Sequence, residues 1–481
     1  MRCRPLLPHL LPPGTVTRWH EAALAVLEQV GLGVPDGELA RRLANCPGVS
    51  LREGRAFLDP SVVEGLVDEV CQRAERPATE PATDRITLHV GSHAHHYVDP
   101  LTDELRPFLT DGLVTATRLV DALSEQGVIG SAPGVPQDVP PPLQGLAQMR
   151  IGCLHSRHGG CFANAGSLRQ ARWLRRMAEA AGQAFCLGVH LVSPLQFAGN
   201  ELDVALALMG EGLPVGVGSM PMMGATAPQS FAGAAIQAMA EAMGGHAALR
   251  LLGARQVSFG VNLYAFDHRH ATLVYGSPEQ NLCDAVQWSV NRYYGATRPT
   301  TRSIRSMSQA VDEQSSAERA ASAVFGALLG SRDFAGAGLL SLDEVFSPLQ
   351  LVLDREIADY AQRVAQGVAL DEPDGWVKVI AQAAPRGTYL DHESTVGRFR
   401  AECWMPRLFE HDLLEAWRHR GSRSALDKTR EMTRELMTAE TYVCPPERAE
   451  AVGEVYEAAC RELLCSGEDV SDTFSDVGKR V

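Results

Sequence analysis

The stretch Val215–Leu252, VGVGSMPMMGATAPQSFAGAAIQAMAEAMGGHAALRLL, decides how the rest of the chain is read. It opens on a β-rich run, Val215–Met220, breaks on a loop of small residues and proline, Pro221–Pro228, and continues into an Ala-rich helical pattern, Gln229–Leu252. A strand handing over to a helix through a short loop is half of a βαβ unit, whose strands pair in parallel through right-handed crossovers. The same alternation recurs on either side. Short apolar or β-rich runs stand at Val128–Ser131, Gly160–Ala163, Phe185–Val192, Val215–Met220, Val257–Leu263, Arg298–Ser303, Phe334–Leu340 and Gly387–Leu390. Helical patterns follow near Leu143–Cys153, Leu168–Ala181, Leu195–Met209, Gln229–Leu252, Pro278–Tyr294, Asp312–Leu329, Pro348–Val364 and Asp374–Ala384. Eight such units predict an α/β fold, a (β/α)8 TIM-like barrel. An open doubly wound sheet would want a Gly-rich nucleotide loop after an early strand, and no GxGxxG or GxxxxGK[ST] stands in such a place.

Outside the alternation the pattern changes. Trp19–Val30 and Ser61–Ala74 carry apolar residues at helical spacing, Ile86–Val90 reads as a strand, and a polar stretch runs from His93 to Asp99. After Trp404-Met405-Pro406 the pattern is purely helical, with a last helix near Pro446–Leu464 and a polar tail. The expected organisation is an N-terminal helical preface with short strands over 1–105, the barrel over 106–400, and a C-terminal helical extension over 401–481.

Composition narrows the function classes. The 481 residues are 45% hydrophobic and 21% charged with a formal charge of −14, so a large core can form and no disordered class fits. No block of five or six Lys/Arg is present to track phosphates or an anionic membrane, which argues against nucleic acid as a partner. Met1–Gly14 is interrupted by Arg4, Pro5, Pro8 and His9 and reads as no signal peptide, and no run reaches the roughly 18 apolar residues of a membrane span. Eleven scattered cysteines without a CxxC fit reduced thiols. A cytoplasmic protein is expected.

In a barrel, function sits on the loops that follow the strands. The loop after Val215–Met220 holds Gly224, Ala225 and Thr226, whose size lets a ligand approach the backbone. The loop after Val257–Leu263 reads Tyr264-Ala265-Phe266-Asp267-His268-Arg269-His270 and runs on to Gly276-Ser277-Pro278-Glu279. An aromatic pair beside a carboxylate is a seat for a cation, which makes Asp267, Tyr264 and Phe266 candidates. Each has a plainer reading: Glu279 as part of a helix start capped by Ser277, Asp267 as a turn residue, the two aromatics as wall or core. Cys153, His155, His158 and Cys161 have zinc-binding atoms at the wrong spacing, in a loop expected at the barrel's other end, so no tightly bound metal is expected. His93, His95 and His96 precede the expected barrel and read as solvated or core histidines. No GxSxG anchors a hydrolase triad.

These residues carry a resemblance. Val215–Leu252, with its Pro-Met-x-Gly-Ala-Thr-Ala-Pro loop and Ala-rich helix, resembles the most characteristic stretch of the trimethylamine methyltransferase family. The likeness extends to Tyr97-Val98-Asp99, Thr110-Asp111, Leu191–Leu195, Asp267 with Gly276–Glu279, Asp312 with Gln314 and Glu318, Gly338–Ser341 and Gly387–Leu390. It implies a barrel, a methylated amine substrate, and a corrinoid (cobalamin) cofactor carried by a partner protein. Two departures stand out: archetypal members contain pyrrolysine, whereas this chain is written in ordinary residues, and the family's His-Thr after the last strand reads Ser394-Thr395 here. Expelling an amide-like anion from a neutral tertiary amine needs activation of the nitrogen, whereas a quaternary ammonium leaves as a neutral amine unaided. A quaternary, betaine-like amine is therefore expected, with Asp267 as the catalytic carboxylate. Tyr264, Phe266 and Glu279 would stand around the cation and Arg269 or Arg302 would meet a substrate carboxylate. Gly224, Ala225 and Thr226 would leave room for the macrocycle. The alternatives are an amine-binding or corrinoid-docking barrel without transfer activity and a folate- or metal-dependent barrel methyltransferase; assembly as a homo-oligomer is left open.

Overall fold

The computed structural model describes residues 11–35, 37–74, 85–160, 165–296, 302–368, 371–440 and 442–465. Parallel strands β1 (Thr87–Val90), β2 (Val128–Ile129), β3 (Leu187–Val192), β4 (Val215–Ser219), β5 (Val257–Phe259), β6 (Arg302–Ser303) and β7 (Asp333–Ala337) carry the architecture. They form two curled arcs, one ordered β6, β7, β1, β2 and the other β3, β4, β5. Pairing of the first strand with the last, Leu88 opposite Phe334, is the contact that turns a run of βα units into a barrel.

The strand count is shifted by one from the sequence expectation. Thr87–Val90, expected in the preface, is the barrel's first strand. Gly387–Leu390 is not a strand: Gly387 lies at φ 71° after a short 3-10 turn, and Leu390 is 85% exposed. A β-rich tetrapeptide with no apolar partner on either face has nothing to hold it in a sheet. The run expected at Gly160–Ala163 lies, from Cys161 on, outside the described residues.

The helices that follow the strands are α3 (Thr110–Ala122), α4 (Pro141–His155), α5 (Leu168–Ala181), α6 (Asn200–Leu208), α7 (Phe231–Leu251), α8 (Pro278–Tyr293), α9 (Glu313–Leu328) and α10 (Pro348–Ala365). Preface helices α1 (Thr15–Gln29) and α2 (Pro60–Ala74) pack on α7. That explains why α7 shows no polar stripe. A Cβ on Gly245 would lie 2.7 Å from Val217 of β4, and one on Gly244 would lie 2.6 Å from Leu27 of α1, so adjacent glycines let the helix press against the barrel on one side and the preface on the other. Beyond α11 (Asp374–Ala383) and α12 (Glu393–Glu402), α13 (Ala425–Met437) packs on α3 and α10, and α14 (Pro446–Cys465) on α4 and α5. Preface and extension thus brace the barrel's outer ring. Among the described residues, no helix is long and apolar enough to cross a membrane.

Alternation along the strands decides what faces inward. Leu187, Val189 and Leu191 of β3, with Val215 and Val217 of β4, belong to the core under the helices, which turns Gly188, His190, Gly216 and Gly218 to the lumen. Barrels of this class usually fill that space with bulky branched side chains. Here glycines stand at three of those inner positions, and a cavity of about 550 Å³ reaches from His158 and His190 to Ser92, His93 and Ser131 just beyond the ends of β1 and β2.

Candidate functional site

The loops after β4 and β5 meet at one end of the barrel. Met223 N–H donates to the carbonyl of Tyr264 at 2.9 Å, and Tyr264 N–H donates to that of Pro221 at 3.1 Å. Within the first loop, the Met222 carbonyl accepts from the backbone N–H groups of Ala225, Thr226 and Ala227, and Thr226 Oγ1 accepts from Met222 N–H at 3.0 Å. Gly224 sits at φ 81° with Gln229 and His268 where a side chain would go, so glycine is required there. Gly224 and Ala225 are exposed at the rim and Thr226 is half-buried.

The second loop folds as a hairpin, Phe266–Asp267 against Thr272–Leu273. Asp267 spends its carboxylate on this turn. It accepts from Arg269 N–H at 2.7 Å and from His270 Nδ1 at 2.9 Å, and the Arg269 guanidinium pairs with it at 3.3 Å. The His270 hydrogen bond first, then those from Arg269, hold the carboxyl far below its ordinary range. The pattern is that of a turn-forming Asp. Phe266 stacks edge-on against His268 at 5.3 Å rather than beside Tyr264. Glu279 is exposed in the first turn of α8, where Ser277 Oγ accepts from Gln280 N–H at 3.1 Å, the helix cap its plainer reading described.

Arg302 must be corrected as a substrate ligand. It is 2% exposed and pairs with Asp284 of α8 at 3.5 Å, and its Cγ packs against Gly326 of α9, so it lies between helices and away from the lumen. The reason is register. Arg302 stands opposite Phe334, whose side chain belongs to the outer core, and so shares the outer face.

A different set of residues gathers at the mouth. Tyr264 and Tyr275 meet edge to face at 6.3 Å, and the Arg305 guanidinium lies over the Tyr275 ring at 5.1 Å. Arg305 follows the end of β6, and its Nε is buried without a partner; among the described residues no ion pair or side-chain hydrogen bond engages its guanidinium. Space for it comes from β7. The ladder is irregular between Ala335 and Ala337, and at Gly336, φ 83°, a Cβ would fall 2.4 Å from Arg305 Cγ. His93, after β1, feels burial first, which holds its imidazole below the ordinary value, then Asp343 pulling it up and Arg305 and His95 pushing it down. Asp343, from the loop after β7, also raises the Tyr275 phenol, behind the larger effect of burial. Loops after β1, β5, β6 and β7 therefore bring His93 and Tyr275 each within electrostatic reach of Arg305 and Asp343.

Buried polar side chains hold these loops. On α8, Gln280, Asp284, Gln287 and Asn291 line one face and clamp residues 261–265: Asn291 Oδ1 accepts from Val261 N–H at 2.9 Å, Gln287 donates to the Leu263 carbonyl at 2.7 Å, and Gln280 Oε1 accepts from Ala265 N–H at 2.9 Å. On α9, adjacent residues serve adjacent loops. Glu318 accepts from Ser306 Oγ at 2.6 Å and Met307 N–H at 3.1 Å, while Arg319 pairs with Asp354 at 2.8 Å, and Asp354 in turn accepts from Gly338 N–H at 2.7 Å.

In the lumen, His190 Nδ1 bonds Glu201 at 2.6 Å, which raises its pKa. His89 Nε2 meets Asp333 at 3.1 Å. His158, expected at the far end of the barrel, lines the cavity with His93 and His190. Among the described residues no three His, Cys, Asp or Glu stand close enough to hold a metal ion.

Comparison with known proteins places the chain. It is 23% identical over 459 residues to trimethylamine methyltransferase MttB of Desulfitobacterium hafniense, covering 90% of each chain. It is 23% identical to a glycine betaine methyltransferase of the same species, over 86% of this chain and 89% of that one. Against MttB of Methanosarcina barkeri it is 31% identical over 205 residues, 42% of this chain and 41% of the other. Among solved structures, the monomethylamine methyltransferase MtmB of Methanosarcina barkeri superposes with a TM-score of 0.42 at 13% identity, over 95% of this chain and 93% of that one. The sequence model of the trimethylamine methyltransferase (MTTB) family matches residues 4–455, and the chain belongs to that family of methyltransferases.

Proposed function

We propose that this methyltransferase takes a methyl group from a quaternary methylated amine and delivers it to a corrinoid held by a partner protein that covers the barrel mouth. The observation that carries this reading is the cavity of about 550 Å³ lined by His93, His158 and His190, with glycines at 188, 216 and 218 on the inner face of β3 and β4 and, on the loops after the strands, aromatic rings and opposite charges. The rim fits a flat, largely apolar macrocycle. Ile129, Val192 and Met220, at or just past the ends of β2, β3 and β4, are 36%, 51% and 46% exposed, and Gly224 and Ala225 stand beside them without bulk. A docked corrinoid would supply the nucleophile for the methyl carbon, the C–N electron pair going back to nitrogen.

What this chain does is bind and aim. No proton has to move, because the departing tertiary amine is neutral. The aromatic wall of Tyr264 and Tyr275, one side of Tyr275 being taken by Arg305, would meet the ammonium at about 0.5 to 2 kcal/mol per contact, with the Asp343 carboxylate close enough to act on Tyr275. Ground-state affinity alone does not raise the rate, so orientation of one methyl towards the docked face, with water excluded, carries the catalysis. The testing experiment incubates the protein with cob(I)alamin and a panel of quaternary amines and follows methylated cobalamin by absorbance. Turnover is expected with at least one of them; none with quaternary amines but turnover with trimethylamine would overturn the reading.

A further inference from the structure

Resting on that reading, we propose that Arg305 is a receptor for a carboxylate on the substrate, so that the amine this barrel accepts is a zwitterion and not a simple alkylammonium. Two other arginines near the mouth were candidates on sequence, and both are committed: Arg269 to Asp267 in its own turn, Arg302 to Asp284 between helices. Arg305 has no such commitment. Its planar face rests on Tyr275, its Nε is buried and unbonded, and no carboxylate among the described residues lies within ion-pair distance. An arginine left unpaired where burial is partial carries a desolvation cost that an incoming anion would relieve. The guanidinium presents parallel donors that match a carboxylate's two oxygens.

The backbone is arranged around it. Gly336 combines a positive φ, a ladder irregularity and a Cβ position 2.4 Å from Arg305 Cγ, so the last barrel strand gives up regular pairing to leave room for this side chain. Asp343, which acts on the same tyrosine from the neighbouring loop, supplies the opposite charge. A cation and an anion on one small molecule would thus meet Asp343 and Tyr264 with the one and Arg305, seated on Tyr275, with the other. Such a grip fixes the direction in which the N-methyl groups point.

The test pairs amines that differ only in the anion: glycine betaine with choline, assayed for transfer to cob(I)alamin and, without cobalamin, for binding by calorimetry. Wild type should favour glycine betaine by about 30-fold in kcat/KM, the order expected of a charge-assisted bidentate contact. Arg305→Gln should remove that preference, lowering kcat/KM for glycine betaine far more than for choline, and Arg305→Lys should restore part of it. Gly336→Ala should reproduce the loss without touching the charge. If wild type does not prefer glycine betaine, the proposal falls even where Arg305→Gln fails to fold. If Arg305→Gln slows both amines alike, the anion it serves belongs to the corrinoid side, and the substrate assignment is overturned. Should no amine yield methyl transfer, the functional reading fails separately, and calorimetry with glycine betaine still decides whether Arg305 binds the carboxylate.

Discussion

Two regions of the mouth, the Asp267 hairpin and the Arg305 cluster, contain the same ingredients: an aromatic pair, a carboxylate and an arginine. They differ in what those groups already hold. In the hairpin, Asp267 accepts from Arg269 and His270 within its own turn, and Phe266 packs on His268. In the cluster, Arg305 and Asp343 lie on different loops and both act on Tyr275, and Arg305 Nε is buried without a partner. A group whose bonds are satisfied by its own segment shapes that segment, and one held in place with bonds to spare is equipped for a ligand.

The comparison breaks hardest at the scaffold. Asp354→Ala would strand Arg319, which is fully buried, and free the Gly338 backbone; a loss of about 3–5 kcal/mol is expected, read as a large drop in the thermal midpoint. An unchanged melt would mean the mouth does not depend on this pair. Gly336→Ala comes next. Placing a side chain at φ 83° strains the backbone by about 1–3 kcal/mol and pushes Arg305 aside, so kcat/KM for a carboxylated amine should fall about tenfold or more. Glu201→Gln probes the lumen. Its hydrogen bond raises the pKa of His190, so the protonated pair contributes stability that is present below the ordinary histidine value and lost as pH rises through the raised one. Wild type should therefore exceed the variant in denaturant midpoint at pH 5.5, and the gap should shrink by pH 8.5; a constant gap would show that the pair is not ionised. Asp267→Asn sits at the small end. It should loosen the hairpin while transfer stays within about 3-fold of wild type, since the carboxylate serves its own turn.

Most of the barrel was legible because βα alternation survives in Val215–Leu252 and its neighbours. One strand is legible as a strand but not as part of the barrel. Thr87–Val90 is four residues long and is followed by the polar stretch from His93, so its partners across the barrel, Phe334 and Val128, are the information needed to move it out of the preface. Read in the preface, that strand hides His93, which looks like a pre-barrel residue and stands instead at the end of the first strand. Arg302, and not Arg305, stands out in the sequence for a similar reason. Arg302 lies in the run Arg298–Ser303 and Arg305 two residues past it, and only the register against Phe334 shows that the first turns outward while the second continues past the strand end. The clamping residues Gln280, Asp284, Gln287 and Asn291 repeat at helical spacing, a polar stripe that the sequence itself displays. Capping at Ser277 and glycine at 224 follow from local chemistry alone.

The central claim is that the Arg305 cluster, not the hairpin, holds the substrate. A quaternary amine is inert without its acceptor, so a crystal structure of the protein soaked with glycine betaine tests the claim directly. The account predicts its carboxylate within about 3.2 Å of the Arg305 guanidinium nitrogens, with the trimethylammonium group against Tyr275 and facing the open lumen. Density for the ligand at Asp267, with Arg305 still unpaired, would contradict it.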